Sequence, residues 1–258
     1  MACARSAIFG DRAMNATQIL CPAKLTLSLK VKGRRQDGYH LIDAEMVSVD
    51  LCDELFISEG SGLTVRSADS GFEVPLGPSN LVNQALKLVN RTADVTVIKK
   101  IPAGAGLGGG STNAAGILRW AGFEDPIAAA QLGADVAFCL KGGRARVTGI
   151  GETLEYLPYH QREMTLLIPP IGISTSDVYR AWDELDGSSG KYGNDLEVAA
   201  LTVEPRLAEW RDALSDATGQ TARLAGSGGT WFVEGNHDPF THRGTTSINV
   251  ATVPAQHQ

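Results

Sequence analysis

A run that reads as a strand, Asp94-Val95-Thr96-Val97-Ile98-Lys99-Lys100-Ile101, is followed at once by Pro102-Ala103-Gly104-Ala105-Gly106-Leu107-Gly108-Gly109-Gly110-Ser111-Thr112 and then by an alanine-containing run that reads as a helix. Glycine admits left-handed backbone and lets main-chain N–H groups approach a ligand without Cβ obstruction. The helix that follows offers unpaired N–H donors and the positive end of its dipole. Strand, glycine loop and helix in that order make an anion cradle rather than a surface linker. The Walker arrangement is excluded, because no Gly-Lys-Ser/Thr follows at its spacing. A lysine for phosphate or hydroxyl chemistry therefore has to come from elsewhere in the chain.

At 258 residues the chain can bury a substantial core, in one large domain or two modest ones. Its formal charge of −6 argues against nucleic acid and anionic membrane as partners, so an anion is recognised locally, as a small ligand. Cys3, Cys21, Cys52 and Cys139 are far apart and form no CxxC pair, which disfavours a disulfide framework and a zinc site and fits a reduced, cytoplasmic compartment. No apolar run reaches the roughly 18 residues of a membrane helix. Residues 1–15 hold too short an apolar patch for a secretory signal and read as a disordered or frayed extension.

Leu25, Leu27, Leu29 and Val31 alternate with Lys24, Thr26, Ser28 and Lys30, which predicts a strand that places Lys24 and Thr26 together on the face opposite the core. A second extended region spans 41–57, with Asp50 and Asp53 marking a turn, and a short strand covers 62–66. Helical spacing of Leu81, Ala85, Leu88 and Val89 after Asn80 predicts a helix beside the glycine loop. Further along, a short helix at 128–132 ends at Gly133, and 143–148 with 153–157 form a hairpin. The remainder alternates: a strand at 164–168, helices at 175–185, 194–201 and 205–217, and strands at 221–224, 230–233 and 248–253. Asn194 and Asp195 read as helix caps. Gly226-Ser227-Gly228-Gly229 reads as a second glycine turn, closing a cleft near the phosphates.

Pro22-Ala23-Lys24-Leu25, Asp37-Gly38-Tyr39-His40, the glycine loop, Leu132-Gly133-Ala134-Asp135-Val136, Gly149-Ile150-Gly151-Glu152, Asn194-Asp195-Leu196-Glu197 and Gly226-Ser227-Gly228 occur in an order that resembles the GHMP small-molecule kinases, from about Ile19 to about Val253. Within that superfamily the chain is most similar to the branch whose acceptor is a cytidyl diphosphate of a sugar alcohol. The resemblance implies an α+β, two-domain GHMP kinase fold: a ribosomal-protein-S5-like N-terminal domain over 16–158, a ferredoxin-like C-terminal domain over 159–258, and an active site between them. It further implies ATP-dependent phosphorylation of a hydroxyl with ATP and Mg2+, and a small-molecule partner. Nucleic acid and membrane are not implied, the protein is a monomer or homodimer, and the metal ligands are unassigned.

By the same similarity, Pro102, Ala103, Gly104, Ala105, Gly106, Leu107, Gly108, Gly109, Gly110, Ser111 and Thr112 wrap the ATP phosphates, with Ser111 or Thr112 adding a hydroxyl to phosphate or magnesium. Lys24 and Asp135 meet at the acceptor hydroxyl, with Asp135 as general base. A carboxylate of ordinary pKa, near ~4, is a weak base for an alcohol, so proximity and a neighbouring cation have to do most of the work. Tyr39 and His40 read the cytosine, Tyr179 supplies a second aromatic surface, and Thr175 touches the same ligand. Where the resembling kinases usually carry asparagine this chain has Thr26, which keeps only part of that hydrogen bonding toward the acceptor. Two other readings stay open on the residues alone: a GHMP kinase for a different alcohol, and a nucleotide-binding homologue weakened in catalysis.

Overall fold

The computed structural model describes residues 16–67 and 75–256; the extension expected at 1–15 lies outside them. The frame is a long antiparallel pair, β1 (Thr17–Arg34) and β2 (His40–Ser58). Leu25, Leu27 and Leu29 are buried as the alternation predicts, but Lys24 and Thr26 on the other face are buried too. That second face looks into a cleft rather than into solvent.

β2 does not turn at Asp50 and Asp53. It runs on as a strand, and the pairing slips there: Pro22 lies opposite Cys52 while Ala23 lies opposite Val49. Such an irregularity bends the strand and adds residues to one side of the ladder. The aspartates that look like turn formers sit at this bulge, and the Asp50 carboxylate accepts from the Ala251 N–H at 3.0 Å.

β3 (Gly62–Ser67) pairs in parallel with β4 (Asp94–Lys99), and α1 (Leu81–Leu88), capped by the Asn80 side chain, lies between them in sequence. The glycine loop then leads into α2 (Gly109–Trp120), which packs on β1 and β2. α3 (Pro126–Ala130) starts earlier than the sequence suggests, because Asp125 caps it and proline occupies its first turn. A separate helix, α4 (Ala134–Lys141), follows Gly133. Its amphipathic signal is weak because Val136, Ala137, Phe138, Cys139 and Leu140 are all buried, leaving no solvent stripe to reveal a helical period.

β5 (Arg144–Gly149) pairs with β2 and with β6 (Thr153–Tyr156). Then come β7 (Glu163–Leu167), α5 (Thr175–Glu184), α6 (Glu197–Val203), α7 (Leu207–Thr218), β8 (Arg223–Leu224) and β9 (Trp231–Glu234). A small hairpin that the sequence did not announce, β10 (Thr241–His242) and β11 (Thr245–Thr246), precedes β12 (Ile248–Val253). The last strand is the splice. Its Ile248 to Ala251 pair with β7 and its Thr252 and Val253 pair with β2, giving a continuous order β3-β4-β2-β12-β7-β9-β8 in a mixed α/β fold.

Candidate active site

The loop takes the left-handed backbone its glycines allow, with φ of 73° at Gly104, 79° at Gly106 and 69° at Gly108. Gly108 is the N-cap of α2 and no side chain caps that helix, so the first-turn N–H groups are left for an anion. A Cβ on Gly108 would fall 2.7 Å from Cγ of Lys24, and one on Gly106 would fall 2.5 Å from Cα of Gly228. The second glycine turn thus buttresses the first, backbone against backbone. Thr230 strengthens the contact by donating its hydroxyl to the Ala105 carbonyl at 2.7 Å. A cavity of about 250 Å³ opens over the loop from Pro102 to Gly110, bounded also by Val65, Pro75, Lys99 and Asn113.

Asp53, which the sequence reading mistook for a turn, is a buried tie between the two ends of the loop. Fully buried, it accepts hydrogen bonds from Lys100 N at 2.7 Å, Ile101 N at 2.9 Å, Asn113 Nδ2 at 2.9 Å and Lys99 Nζ. These donors stand at the entry to the loop and in α2 at its exit, so one carboxylate ties both ends. The signal was present: Asp53 shares the inward face of β2 with Leu55 and Ile57, a place where a carboxylate needs buried donors.

Lys24 and Asp135 come together as predicted, with Lys24 Nζ 3.2 Å from Asp135 Oδ2. The strand is registered against the loop by Lys24 N, which donates to the Leu107 carbonyl at 3.0 Å. Asp135 lies in the first turn of α4, which also has no side-chain cap, so the positive end of that helix favours the carboxylate. Lys24 is buried, whereas the Asp135 side chain keeps 30% of its exposure and faces a second cavity. Two expectations change here. Thr26 is 1% exposed and accepts from Lys24 Nζ at 3.2 Å, so its oxygen seats the ammonium before it can orient an acceptor. Thr112 donates its hydroxyl to the Pro22 carbonyl at 2.8 Å, which leaves Ser111 as the loop hydroxyl on the cavity wall.

The second cavity, about 1190 Å³, is lined by Lys24, Asp135, Tyr39, His40, Thr175 and Tyr179 among others. Tyr39 stands at its rim, 61% exposed. The His40 ring stacks on Tyr179 with centroids 4.7 Å apart and planes 23° apart, and meets Trp182 edge-on at 5.7 Å. One face of Tyr179 is therefore covered by the imidazole, leaving it a single face for any base. Burial, with the Asp135 charge as a smaller cause, pushes the Tyr179 phenol well above its ordinary range. Thr175 and Ser227 share a hydrogen bond of 3.0 Å across the mouth of the cleft. Two residues that no motif carries complete the wall: Asp183, 2.7 Å from His40 Nε2, and Arg34, 3.2 Å from the other Asp183 oxygen.

Asn194 and Asp195 act as ties. Asn194 donates to the Leu224 and Gly226 carbonyls at 2.9 and 2.7 Å and accepts from Leu196 N at 3.0 Å, pinning the second glycine turn. Asp195 accepts from Lys30 Nζ and Val31 N, both at 3.0 Å, and the helix expected from 194 begins at Glu197. Among the described residues, Cys21, Cys52 and Cys139 are free thiols, and burial pushes Cys21 and Cys139 up to about 12, which makes them inert. No helix among those residues is long and apolar enough to cross a membrane, and no group of three or more His, Cys, Asp or Glu side chains is arranged to hold a metal.

Comparison with known proteins bears on the family and the fold. Residues 80–143 match the family described as GHMP kinases N terminal domain. The chain is 37% identical over 230 residues to a Paracoccus denitrificans (strain Pd 1222) protein named 4-diphosphocytidyl-2-C-methyl-D-erythritol kinase, covering 82% of this chain and 84% of that protein. A Bacillus cereus (strain B4264) protein of the same name is 34% identical over 262 residues, covering 87% and 90%. Among solved structures, a crystal structure of 4-(cytidine 5'-diphospho)-2C-methyl-D-erythritol kinase superposes with a TM-score of 0.69 at 30% identity, over 86% of this chain and 91% of that one. The Methanococcus jannaschii mevalonate kinase, with a TM-score of 0.55 at 14% identity over 93% of this chain and 99% of that one, shares the fold alone.

Proposed function

The chain belongs to the 4-diphosphocytidyl-2-C-methyl-D-erythritol kinases of the GHMP family, and from that premise we propose that its two cavities hold ATP and the cytidyl acceptor on either side of Lys24 and Asp135. The reaction is the ATP-dependent phosphorylation of the acceptor's hydroxyl, in non-mevalonate isoprenoid precursor biosynthesis. The observation that carries the site assignment is the Lys24–Asp135 pair at 3.2 Å, beside the uncapped start of α2.

Phosphoryl transfer through a loose transition state asks the protein for position and for charge compensation. The N–H groups at the start of α2 receive the phosphate oxygens, and the Asp53 strut keeps them aimed without rearrangement. Asp135 accepts the proton of the acceptor hydroxyl, and the Lys24 ammonium favours charge developing on that oxygen. Magnesium would arrive with ATP, ligated mostly by phosphate oxygens and water, a mode that asks the protein for only one or two carboxylates. The protein oxygens on the cavity wall next to the loop include the Asp135 carboxylate and the Ser111 hydroxyl. When bound, the ion neutralises phosphate charge in the transition state.

Tyr39, His40 and Tyr179 hold the cytosine at the far end of the larger cavity, with Thr175 near the same ligand. Residues 16–158 and 159–258 are the two domains of this reading, joined by the return of β12 to β2. Free thiols and the absence of a membrane-crossing helix among the described residues support a cytoplasmic setting. Purified protein supplied with ATP, magnesium and a panel of alcohols tests the assignment. Transfer to the cytidyl acceptor is expected; transfer to homoserine or mevalonate in its place would overturn it.

A further inference from the structure

The C-terminal turns of α2 and α4 are joined by one side chain. Arg119, in the last turn of α2, donates from Nη1 to the Cys139 carbonyl in the last turn of α4 at 2.7 Å, and from Nη2 to the Leu20 carbonyl of β1 at 3.1 Å. The last carbonyls of a helix have no partner within it, and a cation is favoured where they gather. The guanidinium forms no ion pair among the described residues, so backbone carbonyls stand in for a counter-charge. Thr112, seven residues earlier and so on the same face of α2, holds the Pro22 carbonyl of β1 at 2.8 Å. Gln256 repeats the tie from the end of the chain, its N–H donating to the Lys141 carbonyl at 2.9 Å and its Nε2 to the Leu20 carbonyl at 3.4 Å.

We propose that Arg119 is a positioning residue: by fixing the end of α4 against α2 and β1, it holds the Asp135 carboxylate against the Lys24 ammonium. The inference rests on the reading above in which that pair meets the acceptor hydroxyl. Asp135 stands four residues before Cys139, one turn along the same face of α4, and Lys24 stands four residues after Leu20 on β1. The two backbone contacts of Arg119 are thus the anchor points of the two elements whose side chains must meet. Its planar fork sets direction as well as distance between them, which a lysine on a flexible stem does not. Arg119 lines neither cavity and touches no reacting atom, so it acts only through the pair. A misplacement of about 1 Å in a reacting group costs on the order of 10²-fold in rate. The glycine loop is tied separately, by Asp53, and does not depend on this brace.

In Arg119→Ala the Gln256 tie remains, and kcat with the cytidyl acceptor should fall roughly 10- to 100-fold while both KM values stay within about twofold of native. Arg119→Lys, which keeps the charge but not the fork, should fall between the two. Guanidinium ion added at millimolar concentration should raise kcat of Arg119→Ala in a saturable way and leave the native enzyme unchanged, with sodium chloride at equal ionic strength as the control. A crystal structure of Arg119→Ala gives a readout that needs no turnover: Lys24 Nζ and Asp135 Oδ2, 3.2 Å apart in the native chain, should stand beyond about 4 Å, outside ion-pair contact. If Arg119→Ala does not fold, Arg119→Gln, which keeps most of the stem and one donor group, is read by the same distance and the same split of kcat from KM. A folded variant with native kcat overturns the proposal. So does a lowered kcat that neither Arg119→Lys nor guanidinium ion recovers, or a pair distance that does not change. If the native protein turns over no cytidyl acceptor, the functional reading fails, and the pair distance alone then judges the brace. A working cytidyl kinase whose kcat ignores Arg119 sinks the proposal and leaves that reading standing.

Discussion

The proposed phosphate cradle is made of backbone held by one buried carboxylate, whereas the proposed acceptor cavity beside it is made of side chains sent in from separate parts of the chain. β4, the loop and α2 are contiguous, and Asp53 fastens the entry and the exit of the loop through Lys99, Lys100, Ile101 and Asn113. The cavity takes Lys24 and Arg34 from β1, Tyr39 from the following turn, His40 from the start of β2, Asp135 from α4, and Thr175, Tyr179 and Asp183 from α5. Phosphate is the common feature of nucleotides, and fixed N–H groups suit it. The acceptor is what distinguishes one small-molecule kinase from another, and side chains can be exchanged without rebuilding the fold. Damage to the first region should therefore cost stability or catalysis outright, while damage to the second should change which acceptor is used.

The pair at the boundary between the regions should give the largest effect. Asp135→Asn removes the proposed proton acceptor and leaves a similar shape, so kcat is expected to fall about 10²- to 10⁴-fold with both KM values within a few-fold of native. Steady-state kinetics against ATP and acceptor separately would check this, and a kcat within tenfold of native would remove Asp135 from the chemistry. On the cradle side, Asp53→Ala leaves the buried Lys99 ammonium without its counter-charge, a loss of about 3–5 kcal/mol. For a chain of this size that lowers the melting temperature by on the order of 10 °C. A cradle that keeps its melting temperature would mean that the loop is held by its glycine packing alone.

On the cavity side the expected effect is smaller and confined to one substrate. Tyr179→Ala should raise the KM for the cytidyl acceptor about tenfold through lost stacking, with the KM for ATP unchanged. A matching rise in both constants would show that the two regions are mechanically one, as the contact of Gly106 with Gly228 would then transmit the change.

The same contrast explains how much was legible beforehand. The cradle could be read because its parts are neighbours in sequence and glycine spacing records the backbone it needs. Lys24 could be placed on a strand by alternation, but its meeting with Asp135 came from family resemblance, since no local period links positions on β1 and α4. Asp183 and Arg34 left no trace, because each acquires its role from a partner on another element. Asp53 was misread for a more instructive reason. Aspartates at 50 and 53 resemble a turn, yet the strand bulges there and carries Asp53 inward with Leu55 and Ile57. α4 went unseen because a helix buried nearly all round shows no amphipathic period.

The smallest effect is expected at Thr26, the residue that touches both regions. Its oxygen accepts from Lys24 Nζ at 3.2 Å, and a Cβ on Gly226 would sit 3.2 Å from the same oxygen, so the site is closed on the side of the second glycine turn. Thr26→Val keeps the shape and removes the acceptor, leaving the ammonium with the Asp135 carboxylate as its remaining close partner among the described residues. One hydrogen bond to a charged group contributes roughly 1.5–3 kcal/mol at most, and the Asp135 pair retains much of the positioning, so kcat should fall about 3- to 10-fold with little change in either KM. Thr26→Asn, which restores the residue that the resembling kinases usually carry, has an amide oxygen to accept from Lys24 and an amide donor to spare for the acceptor. Its longer side chain has to turn toward the cavity, because the Gly226 side has no room. That variant should stay within about threefold of native in kcat and lower the acceptor KM if the cavity admits the amide. Equal kinetics for threonine, valine and asparagine would reduce Thr26 to a wall, and would mean that the Lys24 ammonium is held by the carboxylate of α4 alone.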